Sequence, residues 1–377
     1  MDNLIIKRRN DLLNYLVTYF PNDLSKIISS YDYYLEGKSL DFKCKWMNCI
    51  AVFPDSLGKI VGACENKLII WNAKNGNFEN TLVENYERNQ YAGKDIIRCV
   101  AILPDESIVY GTANILKIWK TKTNMYDNIH EDRFEGHRNL ITGGIGLGLG
   151  SENYVSCVIA LPDKRIASGS HDGEIKIWNS NTRECEISLQ DNHYVISCLA
   201  TLSDTSSYQH NDKHKRKCER IVSGSYSGKI KVWNLQTEVC EIIFSHNSPI
   251  YCIAVENHIH YGERIISGSY DCSLKIWNVQ TRNCDETLEG HSRPINCVDI
   301  LPDGRIVSGS CDNTIKIWNR VTGTSSRRAR PGGEQSNPKG KCELTFTGHT
   351  RPIYCLNVLP DGRIISGSSD DTMKVWC

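Results

Sequence analysis

Apolar and polar residues alternate with a period of two in short runs along most of the chain, the pattern of strands that bury one face. The run Leu301 to Asn319, LPDGRIVSGSCDNTIKIWN, shows the unit. Pro302-Asp303-Gly304 reads as a turn, in which proline presets one backbone dihedral and glycine permits another. Arg305 to Ser310 and Thr314 to Trp318 then alternate on either side of the tight connection Ser310-Cys311-Asp312-Asn313. One copy therefore predicts a β-hairpin with further strand on both sides.

Variants of this unit recur along the chain. A tryptophan closes a strand at Trp71, Trp119, Trp178, Trp233, Trp277, Trp318 and Trp376, with spacings of 48, 59, 55, 44, 41 and 58 residues. A basic period of 41 to 44 residues, lengthened by insertions in several copies, is that of four-stranded propeller blades. The first 36 residues differ. Ile5, Leu12, Leu13, Leu16 and Phe20 fall near one helical face, Pro21 interrupts, and Leu24, Ile27, Ile28 and Tyr31 follow helical spacing. The expectation is an all-β fold, a seven-bladed β-propeller over 37–377, preceded by a short α-helical segment over 1–36.

From about Leu40 to Cys377 the chain resembles the WD-repeat β-propellers. The resemblance is carried by Gly136-His137, Gly290-His291 and Gly348-His349 ahead of a repeat's first strand, and by Ser-Gly-Ser runs in the second. Asp172, Asp271, Asp312 and Asp370 in the tight turn, and Trp-Asn closing the third strand, complete it. Glu65, Ala113 and Ser227 replace the turn aspartate in the first, second and fourth repeats, which are expected to rest more on packing. Only Cys377 follows Trp376, so the last repeat has three strands, whereas Ser39 to Lys43 precedes the first repeat without one of its own. Laying that segment beside the Trp376 strand would close the ring and cover an open edge.

Charge and composition narrow the partners. Lys plus Arg and Asp plus Glu number 44 each, so no global field draws the chain to nucleic acid or an anionic membrane. No apolar run reaches the roughly 18 residues that span a bilayer, and Met1 to Asn10 is not followed by a secretory h-region. A monomeric propeller in the cytoplasm or nucleus is expected. Of 17 cysteines, Cys49, Cys99, Cys157, Cys198, Cys252, Cys297 and Cys355 recur once per repeat, and Cys185, Cys240, Cys284 and Cys342 mark a second position. That periodicity suits small buried hydrophobes in a reducing compartment, rather than disulfides or zinc ligands.

Recurring histidine, aspartate and serine resemble a hydrolase triad, yet His246 with Asp271, His291 with Asp312 and His349 with Asp370 repeat the set too often for one active site. The family resemblance implies instead a hydrogen-bonded network within each blade, joining these residues, Asp172, a strand-two serine, and Trp178, Trp277, Trp318 or Trp376. Ser308 and Ser310 remain equal candidates for the serine. No catalytic, cofactor or metal residue is expected. Gly143 to Gly150 has no Gly-x-Gly-x-x-Gly register, and His258 and His260 lack a cysteine pair. The basic runs Lys213 to Lys217 and Arg327 to Arg330 read as solvated loops.

Function is expected where the repeats differ. Asn48, Arg98, Ser156, Ser197, Tyr251, Asn296 and Tyr354 precede the strand-one cysteine, and Cys64, Thr112, His171, Tyr226, Tyr270, Cys311 and Ser369 precede the turn aspartate or its substitute. The resemblance implies that both sets line a top-face mouth where peptides dock. Tyr226, Tyr251, Tyr270, Tyr354, His171 and Arg98 are the candidate partner-binding residues, tyrosine offering apolar area with a polar tip. Packing of the tyrosines between blades is the alternative. Phe20 to Tyr31 resembles the opening helix of an F-box, shortened, in which Pro21, Leu24, Ile27 and Ile28 would dock on a ubiquitin-ligase adaptor. Two functions follow: a non-catalytic scaffold for a protein or peptide partner, or a ligase substrate receptor.

Overall fold

The computed structural model describes residues 40–43, 47–54, 58–73, 77–83, 96–112, 115–121, 132–137, 154–190, 194–202, 219–258, 262–319 and 341–376. These form seven four-stranded antiparallel sheets, the blades of a propeller. Blade six is representative: Ile295–Ile300, Ile306–Ser310, Ile315–Asn319 and Lys341–Phe346 pair in that order. The helical expectation over 1–36, with Pro21, Leu24, Ile27 and Ile28, falls outside the described residues. So do the glycine run, both basic runs, and the side chains of His258 and His260.

The seventh sheet takes three strands from the end of the chain and its fourth from the beginning. Leu40–Lys43 lies antiparallel to Thr372–Trp376, with Leu40 opposite Val375 and Lys43 opposite Thr372. Packing seals the same junction, since Met47, Ile50 and Trp71 of blade one share a buried cluster with Cys355, Ile365 and Met373 of blade seven.

The second strands are buried on both faces, as Arg165–Ser170, Ile306–Ser310 and Ile364–Ser368 are along their whole length, because the cores lie between neighbouring sheets. Cys252, Ile266, Leu274 and Ile276 of blade five meet Ile295, Ile306 and Trp318 of blade six in one such cluster. The glycine of Ser-Gly-Ser is required by the close approach of the next layer. A Cβ on Gly309 would stand 2.7 Å from Cys297 Sγ and 2.9 Å from Ile353 Cγ2, inside van der Waals contact.

The inner-strand cysteines converge on the axis, where all seven line a cavity of about 300 Å³. Thirteen cysteines among the described residues are free. Two expectations need correction. Cys64 is disulfide-bonded, and Cys185 on the outer strand of blade three is exposed rather than core, because that strand has no further sheet against its edge.

Candidate functional site: the top-face mouth

The mouth is built on the turn that joins the second and third strands, and a buried network fixes that turn. In blade six, Trp318 Nε1 donates to Ser308 Oγ at 2.8 Å, and Ser308 Oγ lies 2.8 Å from His291 Nε2. His291 Nδ1 is 2.8 Å from Asp312 Oδ2, which also accepts the Ser292 amide at 3.0 Å. Asp312 Oδ1 accepts the amide and the hydroxyl of Thr314 at 3.0 and 2.6 Å. An acceptor on Nδ1 places the imidazole proton there, so Ser308 donates to Nε2. Blade seven repeats every distance within the triad, with Trp376, Ser366, His349 and Asp370.

The two serines of the repeat therefore have different tasks. The first takes the indole and imidazole; the second braces the loop. Ser310 Oγ donates to the carbonyls of Arg293 and Pro294, both at 2.9 Å, and accepts the Asp312 amide at 3.1 Å. Blade five keeps His246 with Asp271 at 3.1 Å and Trp277 with Ser267 at 2.9 Å. In blade three His137 Nε2 meets Ser168 at 2.8 Å while Nδ1 stands 3.6 Å from Asp172. Blade four does not rest on packing alone: Trp233 donates to Ser223, and the Ser225 and Ser227 hydroxyls pair at 2.6 Å in place of the carboxylate.

Strand-one positions reach the mouth for a local reason. The ladder between first and second strands slips at the residue before the cysteine, between Ile295 and Cys297, Ile250 and Cys252, and Ile353 and Cys355. Such a bulge leaves one residue unpaired and re-aims its side chain. Short polar side chains there bridge to the next blade. Asn296 Nδ2 donates to the Ile353 carbonyl at 2.7 Å, Asn48 Nδ2 to that of Ile97 at 2.9 Å, and Ser197 Oγ to that of Ile250 at 2.6 Å. Ser156 likewise donates to Ile196. Tyr251, Tyr354 and Arg98 occupy the equivalent position with longer side chains, and Tyr354 and Arg98 line the axial cavity.

Three of the tyrosines form one continuous arc. Tyr226 and Tyr251 meet edge to face at 5.6 Å between ring centroids, and Tyr251 meets Tyr270 likewise at 6.2 Å. Tyr226 and Tyr270 keep 44% and 56% of their surface open, so the arc is not an inter-blade core. Tyr354 is also about half open on blade seven, away from the arc's own blades. Next round the ring, the Arg98 guanidinium lies 3.7 Å over the ring of Tyr154, and the same ring meets His171 at 3.8 Å. Burial, then Tyr154 and Tyr251, push the Tyr226 hydroxyl up; burial and Tyr270 do the same to Tyr251. Burial and the neighbouring Arg98 push His171 down. The arc is thus a neutral aromatic surface with Arg98 at its margin.

Tyr154 and exposed Tyr194 were not among the sequence candidates. Tyr154 immediately precedes the first strand of blade three and Tyr194 stands two residues before that of blade four, and the Val195 carbonyl beside Tyr194 accepts the Tyr226 amide at 3.0 Å. A tyrosine at that flank in consecutive repeats was the available signal.

Comparison with known proteins agrees with this geometry. The family profile described as WD domain, G-beta repeat matches residues 147–179, 183–234, 238–278, 282–319 and 340–377. The chain is similar to the solved WD40 β-propeller domain of Doa1, with TM-score 0.65 and 19% identity over 90% of this chain and 95% of that one, a likeness of fold. It is also similar to E3 ubiquitin-protein ligase TRAF7 of Mus musculus and of Homo sapiens, 54% identical over 37 residues in each case. That stretch is 10% of this chain and spans 6% of those proteins.

Proposed function

The chain belongs to the WD-repeat family, and from that premise we propose that it is a non-catalytic scaffold, acting in the cytoplasm or nucleus, that holds a peptide or protein on its top face. The observation that carries this reading is the arc Tyr226, Tyr251 and Tyr270, ordered edge to face, with Tyr226 and Tyr270 open to solvent. Stacked tyrosines lose little entropy on binding and offer both apolar area and hydroxyls, the composition of interface hot spots. The His-Asp-Ser sets of blades six and seven support a structural role, each closed on its own tryptophan within the blade.

The test is affinity purification from the native host cell with the full chain and with Tyr226→Ala plus Tyr270→Ala. A hot-spot pair is worth about 2 kcal/mol or more per residue, so the partner recovered by the wild type should be lost from the variant. Val239→Ala, on an exposed outer strand, should retain it. Equal recovery by the tyrosine variant would remove the arc from the interface.

A second reading, substrate receptor of a ubiquitin ligase, is favoured by the F-box-like spacing of Pro21, Leu24, Ile27 and Ile28. It predicts that Leu24→Ala plus Ile27→Ala in the full chain loses a ligase adaptor while keeping the top-face partner. A chain that never recovers an adaptor leaves the scaffold reading alone.

A further inference from the structure

Blade three departs from its siblings at one residue, and the departure builds a different kind of site. In blades six and seven a threonine follows the turn aspartate by two positions, and its hydroxyl caps the carboxylate at 2.6 Å beside the imidazole. Blade five uses Ser273 in the same way at 2.7 Å. Blade three has Glu174 there. A second carboxylate cannot donate to the first, and His137 and Asp172 stand 3.6 Å apart instead of the 2.8 Å seen in blades six and seven.

Three ligand-type atoms are left facing one another. His137 Nδ1, Asp172 Oδ2 and Glu174 Oε2 all lie within 4.8 Å of each other. His137 Nδ1 and Asp172 Oδ2 are buried without a hydrogen-bond partner, their side chains only 1% and 2% exposed, while Glu174 Oε2 faces Lys176 Nζ at 3.0 Å. Buried polar atoms are nearly always satisfied, so two orphans converging beside a second carboxylate indicate a missing partner that is positive. The 3.6 Å separation is too long for a good hydrogen bond. It is close to the roughly 3.3 Å between two donors that share a tetrahedral ion at about 2.0–2.1 Å each.

We propose that blade three binds a divalent transition-metal ion, zinc by its nitrogen and oxygen donors, between His137 Nδ1, Asp172 Oδ2 and Glu174 Oε2. Two carboxylates and a neutral imidazole balance the charge of the ion, and the fourth position is left to water. The Glu174 side chain, 13% exposed, is the side from which an ion can enter. Lys176 Nζ, 3.0 Å from Glu174 Oε2, is the competing cation, and Ser188 Oγ at 3.1 Å holds it when the carboxylate turns to the metal. Coordination at Nδ1 puts the imidazole proton on Nε2. His137 then donates to Ser168, which already accepts Trp178 Nε1 at 2.8 Å, the reverse of the tautomer in blades six and seven.

The experiment titrates chelator-treated full-length protein with Co²⁺, then with Zn²⁺, following absorption and the thermal midpoint. One equivalent of Co²⁺ is expected, with ligand-field bands and no sulfur-to-metal charge transfer, displaced by Zn²⁺ and accompanied by a rise in midpoint. Glu174→Thr installs the residue of blades six and seven. It should retain the β-sheet circular dichroism and the cooperative melt, and lose affinity by more than the roughly 10–100-fold that an outer-shell change costs. If that variant does not refold, Glu174→Gln takes its place in the same titration with the same expected loss. No Co²⁺ uptake by the wild type, undiminished uptake by the variant, or a spectrum dominated by thiolate charge transfer would each overturn the assignment.

Discussion

Arg363 donates through Nη1 to the carbonyl of Ala73, 2.8 Å away and 290 residues earlier in the chain. Arg363 immediately precedes the second strand of blade seven and Ala73 follows the third strand of blade one, so the contact crosses the seam where the ring closes. Asp361 holds the guanidinium in place at 2.9 Å through both Nε and Nη2. Arg363→Ala deprives a buried carbonyl of this donor, which typically costs about 1–3 kcal/mol. Arg305 in blade six makes the same local pair, with Asp303, but its second partner is exposed Glu343. Arg305→Ala should cost less than about 1 kcal/mol. Urea midpoints for the two variants should separate in that order; equal midpoints would deny the seam its role.

The strand Leu40–Lys43 closes the ring by pairing, so its removal should be felt beyond its length. Without it Thr372–Trp376 becomes an edge with unpaired amides and carbonyls, a template for intermolecular pairing. A chain lacking residues 1–45 should aggregate or lose its cooperative transition in size-exclusion and melting experiments. A monomeric truncation that unfolds cooperatively would refute closure by this strand.

Within a blade, the network and the packing separate by substitution. Ser308→Ala strips a partner from both the Trp318 indole and the His291 ring, and should cost about 1–3 kcal/mol. Asp312→Ala falls in the same range. Trp318→Ala also empties a site that is fully buried, and should cost about 3–5 kcal/mol. Equilibrium unfolding should rank the tryptophan variant lowest. Loss of a chemical activity by Asp312→Ala, without a change in the melting curve, would contradict a structural network.

The blade and its closure were legible because each rests on a local, repeated signal: the two-residue period, the turn glycine, Trp318 and its equivalents, and an end-strand tally that left Ser39 to Lys43 unpaired. The mouth was legible only in part. Alternation says which face Asn296 and Tyr251 occupy, but not that a bulge re-aims both, nor that an amide short enough to reach the Ile353 carbonyl bridges blades while a tyrosine joins an arc. The Ser308 and Ser310 roles stayed open for the same reason, since both point to one face and differ only in which partners stand opposite. His137, Asp172 and Glu174 were invisible as a set because the histidine lies 35 residues before the aspartate and only the fold brings them together.

Two groups of aspartates should act on stability in different pH windows. Burial raises Asp312, but hydrogen bonds from His291 and Thr314 and from the Ser292 amide outweigh it and hold the carboxyl below the usual range; Asp370 is lowered in the same way. An aspartate lowered by folding contributes stability that is present above its unfolded value of about 3.9 and is lost as pH falls through its folded value. Asp299 has the opposite sign. It accepts the amides of Ile300 and, across to blade seven, Val358, at 2.8 and 2.7 Å. Burial nevertheless pushes it up to about 6. The fold then binds the proton more tightly than the unfolded chain, so stability should fall as pH rises from about 4 to about 6 and stay lower above that. Asp299→Asn should flatten this upper window and leave the acid limb, whereas Asp312→Asn should flatten the acid limb and leave the upper window. Unfolding free energies from urea titrations between about pH 3 and pH 8 measure both. A decline between about pH 4 and 6 that survives Asp299→Asn unchanged would assign that window to other groups.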